Sequence, residues 1–168
     1  MTSRRRRDAV ALAIAVLLPL IAGALGAIAT SEAVPTWYAA LAKPDWNPPP
    51  WLFAPVWTFL YIAMGISSWL IWRIGDRTEH ATMHAVVRGS LLLYMGQLVV
   101  NAAWSPTFLR LERPDFAFVV IVVMWLLVVS TTWRFLRLSR VAGLLFVPYA
   151  AWVTFAAALN AAVWQLNR

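Results

Sequence analysis

The chain reads as an all-α membrane protein, a bundle of five transmembrane helices, and three observations predict this. Five long stretches carry no charged residue: Ala9–Ser31, Trp46–Trp72, Gly89–Leu109, Phe116–Trp133 and Val141–Asn167. Each suffices for a bilayer crossing, which takes roughly 17–25 residues at 1.5 Å rise. Hydrophobic residues make up 62% of the chain and charged ones only 12%, about half the share usual in soluble domains. The links between the stretches are short and either basic or rich in proline. In hydrocarbon every backbone amide needs an internal partner, so each crossing is expected to be helical.

Taken in order, the expected helices cover about 9–30, 50–73, 87–109, 115–136 and 140–166 of a single domain, 1–168. The first carries Pro19, Gly23 and Gly26, which suit a bend or a close helix contact, since small residues let backbones approach within lipid. The segment 31–49 is a loop with Lys43-Pro44 and Pro48-Pro49-Pro50 steps. A residue before proline avoids the helical region, so this loop is stiff and suited to act as a lid. Pro50 fits the first turn of the second helix, where a missing N–H costs nothing. Pro114-Asp115 reads as the start of the fourth helix, and the arginines at 134, 137 and 140 as a helix extension at the headgroups.

Charge sets an orientation. The N-terminus, second loop and fourth loop share one side and hold ten cations: Arg4–Arg7, Arg73, Arg77, Arg88, Arg134, Arg137 and Arg140. The other side holds four: Lys43, Arg110, Arg113 and Arg168. The imbalance predicts a cytoplasmic N-terminus and an external C-terminus in a bacterial cytoplasmic membrane. The arginines lie at helix ends, not on one continuous face, so nucleic acid is not the expected partner. Arg4–Arg7 followed by an apolar run and Ala27-Ile28-Ala29 resembles a signal peptide. That run is 23 residues long, beyond the signal core of about 7–15, and is read as a retained span.

No Asp, Glu, Lys, Arg or His falls inside the five stretches. Proton pumps and ion-coupled carriers normally place ionisable groups there, and general acid–base catalysis needs one beside its substrate. The interior offers aromatic and amide chemistry instead, which suits flat, largely apolar molecules. Gln97, Asn101 and Trp104 share one face of the third helix; Trp152, Ala156 and Asn160 share one of the fifth; Trp57, Tyr61 and Met64 share one of the second. Trp57 and Asn101 lie about 10–12 Å below the outer surface at 1.5 Å per residue. The bland alternatives are an interfacial tryptophan belt and polar side chains that glue helices together. Trp57 and Trp152 lie too deep for the belt. His80 and His84, spaced i, i+4, make an incomplete metal face, and with no cysteine there is no thiolate site; no metal is expected.

The segment Trp37-Tyr38, Lys43-Pro44-Asp45-Trp46-Asn47-Pro48-Pro49, Phe53, Trp57-Thr58 and Leu60-Tyr61 resembles the translocator protein, or tryptophan-rich sensory protein, family. Gln97-Leu98, Asn101, Trp104-Ser105-Pro106 and Phe108 look like its third-helix signature. Val147-Pro148-Tyr149, Trp152, Phe155-Ala156 and Leu159-Asn160 look like its fifth. The resemblance implies a five-helix bundle, usually a homodimer, whose cavity binds porphyrins and haem as ligands, with no obligatory cofactor. It implies ligand contacts from Trp57, Trp152, Ala156, Asn101 and Trp104, with Trp46 and Trp51 covering the ligand. Tyr61, Gln97 and Asn160 join this set from the helix faces. Transport, disposal or sensing of tetrapyrroles is the implied role. Light-dependent porphyrin breakdown by Trp57 and Trp152 is an alternative, as is a small transporter or stress-linked partner protein. The sterol-recognition pattern of animal members fails, because Leu159-Asn160 is followed by Ala161, Ala162 and Val163 instead of an early tyrosine. The spacings Ala22/Gly26 and Ala157/Ala161 suit a dimer face or internal packing.

Overall fold

Charge-free runs of this length leave the backbone no partner but itself, and the computed structural model, which describes residues 2–168, is built accordingly. Five long helices follow one another: α1 (Thr2–Thr30), α2 (Pro50–Arg77), α3 (Ala81–Ser105), α4 (Pro114–Leu138) and α5 (Arg140–Leu166). All five are long and apolar enough to cross a membrane. The protein is an all-α integral-membrane bundle, and no strand occurs among the described residues.

Several helices outrun their charge-free cores. α1 begins at Thr2, not near residue 9; α2 continues to Arg77; α3 starts at Ala81, not 87. The added turns are rich in arginine, a good helix former, and helical geometry does not end where hydrocarbon does. The second loop shrinks to the residues between Arg77 and Ala81, and His84 lies in the first turn of α3. The segment 31–49 contains a π-helical turn at Val34–Tyr38, with Pro35 in its first turn, where no N–H is required. The later prolines do hold the chain extended, Pro49 having φ −63° and ψ 143°. A second π-helical turn, Pro106–Arg110, ends α3.

Close approaches fix the helix positions. A Cβ on Gly65 would meet the backbone of Val16 and Ala15, and one on Gly23 would overlap the Tyr61 ring. Glycine is what lets α1 and α2 touch. At the sharp junction of α4 and α5 a Cβ on Gly143 would overlap Leu136, while the Ser139 side chain caps α5 by accepting from the Ala142 N–H at 3.3 Å. The Ser67 hydroxyl of α2 donates to the Ala142 carbonyl at 2.7 Å. Helix α2 packs on α1, α3 and α5 and is the most buried span, whereas α1 is the least.

The two ends differ. At the basic end Asp8 takes Arg77 at 3.2 Å and Arg73 at 3.8 Å, and Arg7 reaches Asp76 at 2.8 Å. The Arg73 guanidinium lies over the Trp69 ring, whose N–H donates to the Asp8 carbonyl. The opposite end carries the 31–49 segment, folded over the mouths of the helices.

Candidate functional site: an aromatic chamber beneath the lid

Beneath that segment lies a cavity of about 260 Å³. α2 contributes Phe53 and Trp57; α3 and its π turn contribute Trp104 and Phe108; α5 contributes Trp152, Phe155, Ala156 and Asn160. Thr30, at the end of α1, and Tyr38, in the lid, complete the wall. No Asp, Glu, Lys, Arg or His lines it.

The walls are aromatic rings braced on one another. Trp57 stacks on Tyr61 at 5.3 Å and meets Tyr149 edge-on at 6.3 Å. Phe53 and Phe155 flank Trp152 at 6.0 and 5.5 Å. Trp104 stacks on Phe108 at 5.4 Å, and Phe108 also meets Trp37 and Tyr38. Offset and edge-on pairs of this kind are favourable beyond the area they bury, so the rings are positioned before any ligand arrives.

Polar groups separate into used and free. The Trp104 N–H donates to Asn160 Oδ1 at 3.2 Å, and Asn160 Nδ2 donates to the Pro114 carbonyl at 2.8 Å. Asn160 thus ties α3, α4 and α5 while keeping one N–H and one lone pair unspent. The indole N–H groups of Trp57 and Trp152 find no partner among the described residues, which leaves two donors at the chamber wall.

Tyr61, Gln97 and Asn101 do not line the cavity; they form a buried polar layer beneath its floor. Tyr61 Oη donates to Asn101 Oδ1 at 3.1 Å, Asn101 Nδ2 to Tyr149 Oη at 2.9 Å, and Tyr149 Oη to Gln97 Oε1 at 2.9 Å. Gln97 and Tyr149 are fully buried. Buried polar groups must be paired, and these pair with one another.

The lid is braced by one internal hydrogen bond and fastened to the bundle at two places. Tyr38 Oη donates to Asn47 Oδ1 at 3.1 Å, and burial pushes the Tyr38 hydroxyl pKa up, keeping it a donor. Trp46 packs edge-on against Phe155 at 5.7 Å. Asn167 binds the backbone of Ala42. Trp46 therefore backs a wall residue, although half its surface is exposed; Trp51, 70% exposed, stands outside the chamber.

The structure brings together Trp57, Trp104, Trp152, Ala156 and Asn160 out of the residues singled out in the sequence. Phe53, Phe108, Phe155 and Tyr38 were not singled out for the site. Helical spacing carries the missing signal: Phe53 lies one turn before Trp57, Phe108 one turn after Trp104, and Phe155 three residues after Trp152.

Fold and site together define an integral-membrane helical bundle that encloses an uncharged, aromatic chamber. Residues 15–165 match the profile of the TspO/MBR family. The chain is 38% identical over 156 residues to the tryptophan-rich protein TspO of Chlorobaculum tepidum, covering 93% of this chain and 95% of that one. It is 39% identical to the translocator protein of Bos taurus, over 90% and 87% of the two chains. It is 38% identical to the tryptophan-rich sensory protein of Cereibacter sphaeroides, over 86% and 87%. The chain belongs to the TspO/MBR family.

Proposed function

We propose that this protein binds porphyrin-type tetrapyrroles in a bacterial cytoplasmic membrane, N-terminus inside, and acts in their transport, disposal or sensing. One observation carries the reading: indole and phenyl rings from three helices converge on one uncharged chamber. Flat aromatic walls stack on a macrocycle, and Trp57, Trp152 and Asn160 have hydrogen-bonding capacity left for its heteroatoms. The anionic edge of a protoporphyrin suits the outer mouth, where Arg110 follows the wall residue Leu109 and Lys43 sits in the lid. The chamber is smaller than the roughly 300–1,000 Å³ of most ligand pockets, so a whole macrocycle enters with the lid raised.

The test is a titration of protoporphyrin into the detergent-solubilised protein, followed by the Soret shift and by tryptophan quenching. Saturable binding at one site per chain is expected, weakened about tenfold or more in Trp57→Phe/Trp152→Phe. Equal affinity in that double variant would remove the basis of the assignment.

A second reading, light-driven oxidation of the bound pigment by oxygen, is favoured by the two indoles standing on the chamber wall. It requires that illumination yield a bilin-like absorbance that disappears in the same double variant while pigment still binds at saturating concentration. Equal bleaching by free tryptophan in detergent would dismiss it.

A further inference from the structure

The lid carries an ammonium group that no carboxylate answers. Lys43 Nζ donates to the carbonyls of Ala39 at 3.2 Å and Leu41 at 3.0 Å, and lies over the Tyr38 ring, 4.8 Å from its centre. Tyr38 lines the chamber, and Leu41 packs on the cluster of Phe108, Leu159 and Val163. Lys43 is thus anchored on residues that close the chamber. Two of its three N–H donors are spent on neutral oxygens, and among the described residues no carboxylate pairs with it. The other cations of this end are placed differently. Arg113 is held by Asp115 through hydrogen bonds of 2.9 and 2.7 Å. The Arg168 guanidinium lies over the Trp164 ring, and Arg110 is exposed.

We infer that Lys43 is a specificity-determining residue, selecting tetrapyrroles that carry free carboxylates along one edge; the inference rests on the chamber reading above. The chamber wall offers no charged group, and an unpaired carboxylate taken into an apolar cavity loses its hydration without return. A protoporphyrin has both acid groups on one edge of the ring. It therefore enters with the apolar edge leading, toward Trp57 and Trp152, and its carboxylates stay at the level of the lid. There Lys43 exchanges the Ala39 and Leu41 carbonyls for an ionised oxygen. Charge-assisted hydrogen bonds are shorter than neutral ones and roughly twice as strong, so the exchange is favourable. It also demands little rearrangement, because the lysine stem is flexible and Ala39 is exposed, where water replaces the lost donor. A neutral ester of the same macrocycle stacks on the same rings but gives Lys43 no charge to bind. The residue decides between ligands that the aromatic walls cannot tell apart.

The experiment titrates protoporphyrin and its dimethyl ester, each by tryptophan quenching, into the full chain in one detergent. The quantity read is the ratio of free-acid to ester affinity, so unequal partitioning of the two ligands into micelles cancels between variants. In Lys43→Gln that ratio should fall roughly fivefold to tenfold, between the worth of an exposed ion pair and that of a charge-assisted hydrogen bond. The ester affinity should stay unchanged there, because the glutamine amide still donates to the lid carbonyls. Lys43→Arg, which restores the charge, should recover most of the ratio. Arg113→Gln, whose native partner is Asp115, should keep all of it. Two outcomes would overturn the assignment. One is a ratio unchanged in Lys43→Gln, including an equal loss of both ligands, which would make Lys43 a brace of the lid and nothing more. The other is a larger fall in Arg110→Gln than in Lys43→Gln. If neither ligand binds the unaltered protein, the chamber reading itself fails; if both bind and the ratio ignores Lys43, only this inference does.

Discussion

Asn167 holds Ala42 by both backbone groups at once: its Oδ1 accepts from the Ala42 N–H and its Nδ2 donates to the Ala42 carbonyl, each at 2.9 Å. The same Nδ2 also donates to the Val163 carbonyl at 2.7 Å, and Val163 lines the chamber. The end of α5 is thereby a catch for the lid.

Asn167→Ala removes that catch. Each net hydrogen bond contributes about 0.5–1.5 kcal/mol, so local opening of the lid should rise by roughly tenfold, and protoporphyrin should associate faster. Hydrogen exchange at the Ala42 amide reads this directly. Exchange equal to that of the unaltered protein would mean the catch bears no load.

Ala156→Phe should fill the chamber from α5. The expected result is a loss of protoporphyrin affinity of tenfold or more, with the melting temperature changed little because the side chain grows into existing space. If affinity survives while the protein stays folded, the ligand lies elsewhere.

Tyr149→Phe separates the buried polar layer from the wall. It leaves Gln97 Oε1 and Asn101 Nδ2 without their partner, which should cost about 1–3 kcal/mol for unpaired buried groups. The lower part of that range fits lipid, where interhelical hydrogen bonds average about 0.6 kcal/mol. Unfolding in mixed micelles should show the loss, while the Soret shift on pigment binding persists. Trp57→Phe should give the reverse pattern.

Two glycines should respond oppositely to alanine. Gly65→Ala places a methyl group against the α1 backbone, and such overpacking costs about 1–3 kcal/mol. A Cβ on Gly96 would meet nothing within 4 Å, so Gly96→Ala should gain up to about 1 kcal/mol of helix propensity. Thermal denaturation of the two variants side by side checks both signs.

The five helices were legible because uncharged runs of that length have one solution in lipid. Their ends were less so: arginine continues a helix as readily as it marks a membrane surface, and only the fold shows that α1 and α3 run on into the basic region. The aromatic wall was legible in part. Trp57 and Trp152 announce themselves by depth and Trp104 by the face it shares with Gln97 and Asn101, whereas Phe53, Phe108 and Phe155 look like ordinary core residues until the helices are placed. For Gln97 and Asn101, helical spacing gave the correct face but not the partner. Tyr149, arriving from a different helix, takes up both amides, and no local pattern could have supplied that long-range pairing.

Helix α1 is secured unevenly. Its basic end is tied by Asp8 and Arg7, its middle by Gly65 and Gly23, yet beyond these Leu25 and Ile28 stand 62% and 72% exposed while Thr30 forms part of the chamber wall. That end of α1 is a single-helix stretch of the chamber wall with the bilayer on its far side. A guest entering past it is drawn from what is dissolved in the surrounding lipid. Occupancy then follows the mole fraction of guest in the membrane, which makes the guest-to-lipid ratio the natural scale on which to express affinity.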